Sequence, residues 1–553
     1  MQDESPEFDH VIVGAGSAGA VLAARLTEDP QTTVALLEAG EGNPNDFLIQ
    51  MPLGMLRALL QPKYATLYFS EPEPHLNGRR IMLPRGRMLG GSSSINGMFY
   101  MRGHSHDYDR WAQMGCTGWS YADVLPYFRK METSWRGANE YHGDSGPLHI
   151  VPNARDYLLH DQVMESAHAC GYPATDDIHG EQEEGVTLGE LTIDPKGRRA
   201  STYSAYLKPA LDRPNLTVIT GASANRILLE GRRAVGVSYR KDGAEKSVRA
   251  GKEVLVCGGT YQSPQLLMLS GIGPTAHLRE QGVEVVHDLP GVGENLREHA
   301  HVPLLFRATT NKTFLSQLRI DRAVTSVLRW KLTGAGPFSR QVNSANFILR
   351  TDPRLAQPDV QLWSNPIAIT AQLWGPFVRH KQQHTFSGDV ILLHPNSRGW
   401  VRLKSADPAE APAIQLNLFA DAADFATARA GIRMSRRVYR CGPMAELAGE
   451  ELLPGEGIDD DAALDEHIRA NAAVNQHPIG TCAMGTGPMS VVGPDLRVHG
   501  IGGLRVIDAS VMPDLPGGNT NAPTIMIAER AADLIKGQGT LPRAEIRRRE
   551  NAA

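Results

Sequence analysis

An α/β fold, α+β overall, is predicted for this chain of 553 residues, with an open parallel sheet in one part and an antiparallel sheet in another. Three observations predict it. A short apolar run, Phe8 to Val13, meets a glycine-rich turn and then a stretch of small residues through Leu26. A second continuous apolar run, Glu253 to Cys257, also ends in paired glycines. Residues 388–393 and 399–403 instead alternate as antiparallel strands with one covered face do.

The first unit is a strand, a tight turn and a helix. Gly14 allows the turn, Gly16 lets the backbone approach a diphosphate, and Gly19 lets the helix pack on its strand. The helix N-terminus then offers the N–H groups of Ser17 and Ala18 to the phosphates. The next run, Val34 to Leu37, ends at Glu38, whose carboxylate can accept both ribose hydroxyls of an adenosine. No basic residue follows to suit a 2′-phosphate, so a Rossmann-like dinucleotide site other than an NADP site is expected.

Pro52 to Pro84, interrupted by Pro62, Pro72 and Pro74, is expected as an irregular crossing segment outside any sheet. Ser263-Pro264 is expected to start the helix after Glu253–Cys257. Leu504 to Asp508 is a further parallel strand, with Asp508 at the C-terminal edge where ligands of such sheets sit.

Gly86 to Gly103, with Gly91, Ser92, Asn96, Gly97 and Met98, and Gly259 to Gly273 resemble both signature segments of the glucose-methanol-choline oxidoreductases. The resemblance continues through Asp107 to Trp111, Gly291 to Leu296 and Leu504 to Pro513, and is strongest to the choline dehydrogenase-like bacterial branch. It implies FAD, with Ala224, Ala509 and Thr520 added to the cofactor site. Ile95 stands where some members tether FAD through histidine, so a non-covalent cofactor is expected.

Oxidising an alcohol requires a base for the hydroxyl proton, and histidine titrates near working pH. Of 19 histidines, His477 in Asn475 to Cys482 matches the family's catalytic position. The second catalytic position maps to Asn519, with Asn521 as the competitor, and its amide would orient the substrate oxygen. Pro523 suits a first helical position, so the helix from Thr524 to Ile535 would point its positive end at the flavin. The expected reaction is oxidation of a primary alcohol to an aldehyde, with a hydroxynitrile lyase-like activity as the alternative. Polar Asn475 and Gln476 favour a quinone or other carrier over oxygen. A neutral, medium-sized or aromatic alcohol is expected, with Trp363, Trp374 and Phe377 as candidate wall residues.

The expected division gives a FAD-binding part over 1–154, 196–300 and 474–540, a substrate part over 155–195 and 301–473, and a polar tail over 541–553 with a solvated Arg547-Arg548-Arg549. A net charge of -5 argues against nucleic acid and anionic membrane surfaces. The acidic start leaves no room for a secretory signal and no apolar run spans a bilayer, so a cytoplasmic protein is expected. Five scattered cysteines (Cys116, Cys170, Cys257, Cys441 and Cys482) suggest buried thiols rather than a disulfide framework, with no catalytic role for Cys482. His299 and His301 beside Glu294 and Glu298 superficially suggest a metal, but the segment matches a family motif that needs none. His104 and His106, with Asp107 and Asp109, are expected to form a solvated polar turn.

Overall fold

The computed structural model describes residues 5–546. Glu7–Val13, Ser17–Leu26 and Val34–Glu38 form the strand, helix and strand of the first unit. They belong to a seven-stranded sheet in which Leu216–Thr220, Val34–Glu38, Glu7–Val13 and the C-terminal half of Ala244–Val256 run parallel, joined by Leu504–Val506. The N-terminal half of Ala244–Val256 continues into an antiparallel meander with Arg233–Lys241 and Ser223–Glu230.

An eight-stranded antiparallel sheet is built around Thr385–Leu392, flanked by Val360–Asn365 and Ala345–Leu349 on one side and by Ala300–Val302 and Leu305–Ala308 on the other. Its two faces differ in chemistry. Phe386, Val390, Leu392, Val360, Leu362, Ala300 and Val302 share an apolar core with Ala428 and Ile432 of the helix Ala422–Tyr439. The alternate residues Ser387, Asp389, Trp363, Asn365 and His301 face a large cavity on the other side. The sheet is therefore covered twice, and Thr385–Leu392 is buried along its whole length rather than on one face as expected.

Several expectations need correction. Ala65–Phe69 and Met82–Gly86 form an antiparallel hairpin inside the supposedly irregular segment. Its prolines stay outside the first strand, and Pro84 is accepted on a two-stranded ribbon. Trp400–Arg402 pairs with Ala413–Gln415 in a separate ribbon, not with 388–393. Glu190–Thr192 pairs with Phe99–Tyr100 and Leu148–Pro152 in a small sheet apart from the eight-stranded one.

The helix expected from Ser263 begins earlier, as Gly259–Leu269, and carries Pro264 inside it. Proline leaves the Thr260 carbonyl without its helical N–H, and the Thr481 hydroxyl donates to it at 2.6 Å instead. Residues 541–546 are docked rather than loose: the Ala544 N–H donates to the Ala122 carbonyl at 2.8 Å and the Leu541 N–H to the Tyr127 hydroxyl at 3.0 Å. Arg547 to Arg549 lie outside the described residues. Cys116, Cys257 and Cys482 are buried, whereas Cys170 and Cys441 are only half-buried. Among the described residues no helix is long and apolar enough to cross a membrane.

Candidate active site

One cavity of about 1610 Å³ runs from the glycine-rich turn to the polar face of the antiparallel sheet. Its nucleotide end is built by backbone. Gly14 adopts φ +101, and a Cβ on Gly19 would run into the Gly14 carbonyl, so both positions require glycine. Gly16 caps the helix Ser17–Leu26 without a side-chain bond, and a Cβ on Gly16 would meet nothing within 4 Å. The first-turn N–H groups thus open onto free space lined by Gly16, Ser17 and Ala18, which suits a diphosphate. Gly91 approaches so closely that its Cβ would lie 2.7 Å from the Gly16 Cα.

Glu38 lies in the same wall, its two oxygens accepting the Ala15 and Gly40 N–H groups at 2.9 and 2.8 Å. Burial pushes its carboxyl up to about 7. Ser92, Asn96, Gly97, Met98, Ala224, Asp508, Ala509 and Thr520 also line the cavity, whereas Gly19 does not. Asp508 acts through its neighbours: one oxygen accepts the Gly259 N–H and the Ser263 hydroxyl, the other the Ser510 N–H. Buried Arg199 holds the Asn96 loop through the carbonyls of Ser93 and Asn96, a support the sequence reading missed. Ile95 is buried against Met88 and Ala65. This set of free N–H groups, a buried acid and a long enclosed wall fits FAD.

At the far end His477 and Asn519 meet, with Asn519 Nδ2 2.9 Å from His477 Nε2. Asn521 is placed elsewhere: its Oδ1 accepts the Ser17 hydroxyl at 2.8 Å, tying the helix Asn521–Lys536 to the glycine-rich turn. That helix starts at Asn521, two positions before Pro523, and its N-cap Thr520 makes no side-chain bond, so its N-terminal N–H groups also open on the cavity.

The proton positions around His477 follow from its neighbours. His299 Nε2 lies 3.1 Å from the Leu393 carbonyl, which can only accept, so Nε2 of His299 carries the hydrogen. Burial, then the nearby His394, pushes His299 down to about 3, so its ring is neutral and Nδ1 is an acceptor. His477 Nδ1, 2.9 Å away, must therefore be the donor. The consequence is a neutral His477 with its lone pair on Nε2, toward Asn519 and the cavity. Burial and the neighbouring His299 and Arg85 hold His477 well below the usual histidine range, which preserves that free base.

Glu298 fixes the backbone behind this pair. Its Oε1 accepts the N–H groups of His477 at 2.5 Å and His299 at 3.0 Å. Burial raises its carboxyl to about 8 despite Arg85 nearby, so no negative charge sits behind the imidazole at neutral pH. Arg85, on the unforeseen hairpin, donates to the Gln476 carbonyl and side chain and lies over the Tyr261 ring. Gln476 is thereby committed to Arg85 and to the Met82 carbonyl, leaving Asn475 with a buried, unpartnered Nδ2 in the cavity wall.

The loop before Asn519 has its own anchor. Buried Asp107 accepts the Gly517 N–H at 2.7 Å and the His104 N–H at 2.7 Å, and His104 caps the helix Ser105–Gln113. The expected solvated turn is thus a clamp on the active-site loop. Of the expected wall residues, Trp363 lines the cavity, stacked on Phe99 at 5.1 Å. Trp374 instead donates its indole N–H to the Leu315 carbonyl, and Phe377 is fully exposed. Asp389 faces the cavity with His301 Nε2 at 3.7 Å. The roles of His299, Glu298, Arg85 and Asp107 are not foreseen from the sequence, which offers only the family motif around Glu298-His299 and a polar turn at Asp107.

Known proteins resemble this chain over nearly its whole length. The chain is 43% identical over 543 residues to the oxygen-dependent choline dehydrogenase of Pseudomonas syringae pv. syringae (strain B728a), covering 97% of this chain and 95% of that one. It is 42% identical over 545 residues to the protein of that name from Ectopseudomonas mendocina (strain ymp), covering 98% and 96%. Among solved structures, pyridoxine 4-oxidase from Mesorbium loti superposes with a TM-score of 0.86 at 30% identity, covering 96% of this chain and 99% of that one. Aspergillus oryzae RIB40 formate oxidase superposes with a TM-score of 0.89 at 29% identity, covering 97% and 99%. Family models described as GMC oxidoreductase match residues 8–301 and 395–528, the segments that supply the nucleotide end and the His477–Asn519 pair. The chain therefore belongs to the GMC oxidoreductase family.

Proposed function

We propose that this protein oxidises a primary alcohol to an aldehyde with FAD, His477 taking the hydroxyl proton and Asn519 orienting the hydroxyl. The observation that carries this reading is the Nε2 lone pair of His477, fixed by His299 and directed to the cavity beside Asn519. Asn519 Nδ2 lies 2.9 Å from His477 Nε2, so an alcohol binds by taking its place there, donating its hydroxyl hydrogen to Nε2 and accepting from the displaced Asn519 Nδ2. The alcohol's proton passes to His477 Nε2 while the Nδ1–H stays bonded to neutral His299.

When bound, FAD would supply a hydride acceptor for the carbinol hydrogen. Ser17 and Ala18 would hold its diphosphate, Glu38 its ribose, and the segment from Gly91 to Met98, with Ala224, Asp508, Ala509 and Thr520, the remaining length. Ile95 supports non-covalent attachment, since a buried isoleucine offers no nucleophile. The expected division into a FAD-binding and a substrate part is supported by the separate parallel and antiparallel sheets. As acceptor, the names of the relatives support oxygen, and the commitment of Gln476 to Arg85 removes half of the polar wall that favoured another carrier. Each relative reported above is named for an oxidation, which supports the redox reading over the lyase.

The test is anaerobic mixing of the yellow protein with choline, benzyl alcohol and hexanol. One of them should bleach the flavin, and air should restore it with hydrogen peroxide; acid precipitation should release FAD to the supernatant. His477→Ala should keep FAD and slow bleaching by about two to four orders of magnitude. Bleaching of that variant at the parental rate would place the base elsewhere.

A further inference from the structure

The mouth of the cavity is apolar and outward-facing, which the net charge of -5 did not foreshadow. Leu56, Leu60, Val324, Leu328, Ile369 and Val378 all line it, and all are between 39% and 77% exposed. Val324 and Leu328 lie one helical turn apart on Ile320–Thr333, whose inner face buries Ala323 and Trp330. The loop carrying Ile369 and Val378 is pinned to that helix: the Ile320 N–H donates to the Trp374 carbonyl at 2.9 Å. Phe377 on the same loop is fully exposed. Side chains of this kind gathered at one opening form a contiguous patch rather than scattered surface residues.

Charge around the patch is opposite in sign to the chain as a whole. Arg57 and Arg379 line the same mouth, Lys331 follows Leu328 on the helix, and Lys381 lies over the Trp374 ring. None of these four cations forms an ion pair among the described residues. The one acid on the helix, Asp321, is occupied by Arg319. Unpaired cations around an apolar face are the chemistry that holds a protein in the headgroup layer of an anionic bilayer.

We propose that this face docks on an anionic lipid surface, with Val324, Leu328, Ile369 and Phe377 entering the acyl boundary and Arg57, Lys331, Arg379 and Lys381 on the headgroups. The cavity then opens into the membrane, and apolar small molecules reach it without crossing water. The interaction is peripheral: it needs no spanning helix and leaves the fold unchanged.

The test is co-sedimentation of the full-length holoprotein with vesicles of phosphatidylglycerol and phosphatidylcholine, and with vesicles of phosphatidylcholine alone. The protein is expected to sediment with the anionic vesicles at low salt and to be released as salt rises. Val324→Glu with Leu328→Glu should abolish sedimentation, and Arg379→Ala with Lys381→Ala should weaken it about five-fold per cation. Thermal midpoints near the parental value would show that the variants fold. Equal recovery on both vesicle types, or no recovery on either, overturns the proposal. So does a concentration-dependent dimer in light scattering that the glutamate variant dissolves, because a second copy would then cover the face.

Discussion

His477 does its work through an atom that His299 selects. The 2.9 Å contact between their Nδ1 atoms commits His477 to its Nε2 lone pair, and the Leu393 carbonyl commits His299 in turn. His477 was legible in the sequence because its neighbours form a motif. His299 was not, because its role depends on a partner 178 positions away. His299→Ala should leave FAD bound and lower kcat by about ten- to a hundred-fold, less than loss of the base itself. The pH profile separates positioning from general damage. In the parent, His477 stays unprotonated far below pH 6.5, so kcat/KM should show no acid limb near pH 6.5. Removing His299 takes away one of the influences holding His477 down, so the acid limb should move up toward pH 6.5. An unmoved limb with a merely lower rate would deny His299 this role.

At the scale of elements, patterns of period two and glycine punctuation were legible, and buried charge was not. The helix Asn521–Lys536 shows the expected apolar spacing, yet it also buries Glu529 and Arg530. Both oxygens of Glu529 accept from Arg25 at 3.0 and 3.1 Å, and the Tyr206 hydroxyl adds a bond at 2.8 Å. Lys130 stands 3.2 Å away. This cluster fastens the C-terminal helix to the first helix, and hence Asn519 and Thr520 to the glycine-rich turn. Glu529→Ala would strand a partly buried arginine and a buried phenol. A loss of about 3 kcal/mol in unfolding free energy is expected, read from denaturant midpoints. A change below about 0.5 kcal/mol would mean that water reaches Arg25 and replaces the carboxylate. The hairpin at Ala65–Phe69 escaped for a related reason: its partner lies beyond Pro72 and Pro74 and itself carries Pro84, and only tertiary pairing reveals it.

Across the whole molecule, the two sheets and their long interruptions were legible from local runs, whereas the large cavity between them depends on which face of each strand is turned inward. Histidines buried away from water tie stability to pH. Burial pushes His179, His299 and His394 down to about 3 and His477 well below its usual range. Each is neutral in the folded state and protonated when unfolded below pH 6.5, so each contributes stability that is present above pH 6.5 and lost as pH falls toward its folded value. Glu298 and Glu38, raised to about 8 and about 7, have the opposite sign, since they hold protons that the unfolded chain releases above its ordinary value of 4.5. Between pH 6.5 and 4.5 these four histidines outnumber the two carboxyls, and His10, His160 and His467, also held down by burial, act with them, so stability falls as pH falls. Below pH 4.5 the carboxyls no longer oppose. Glu132, held down to about 2 by Arg102 and His142 against the cost of its burial, then joins the histidines. Unfolding midpoints should therefore fall moderately from pH 6.5 to 4.5 and more steeply from 4.5 to 3. A midpoint that holds level across both windows would show that these histidines gain protons without unfolding, through water reaching them in the folded state.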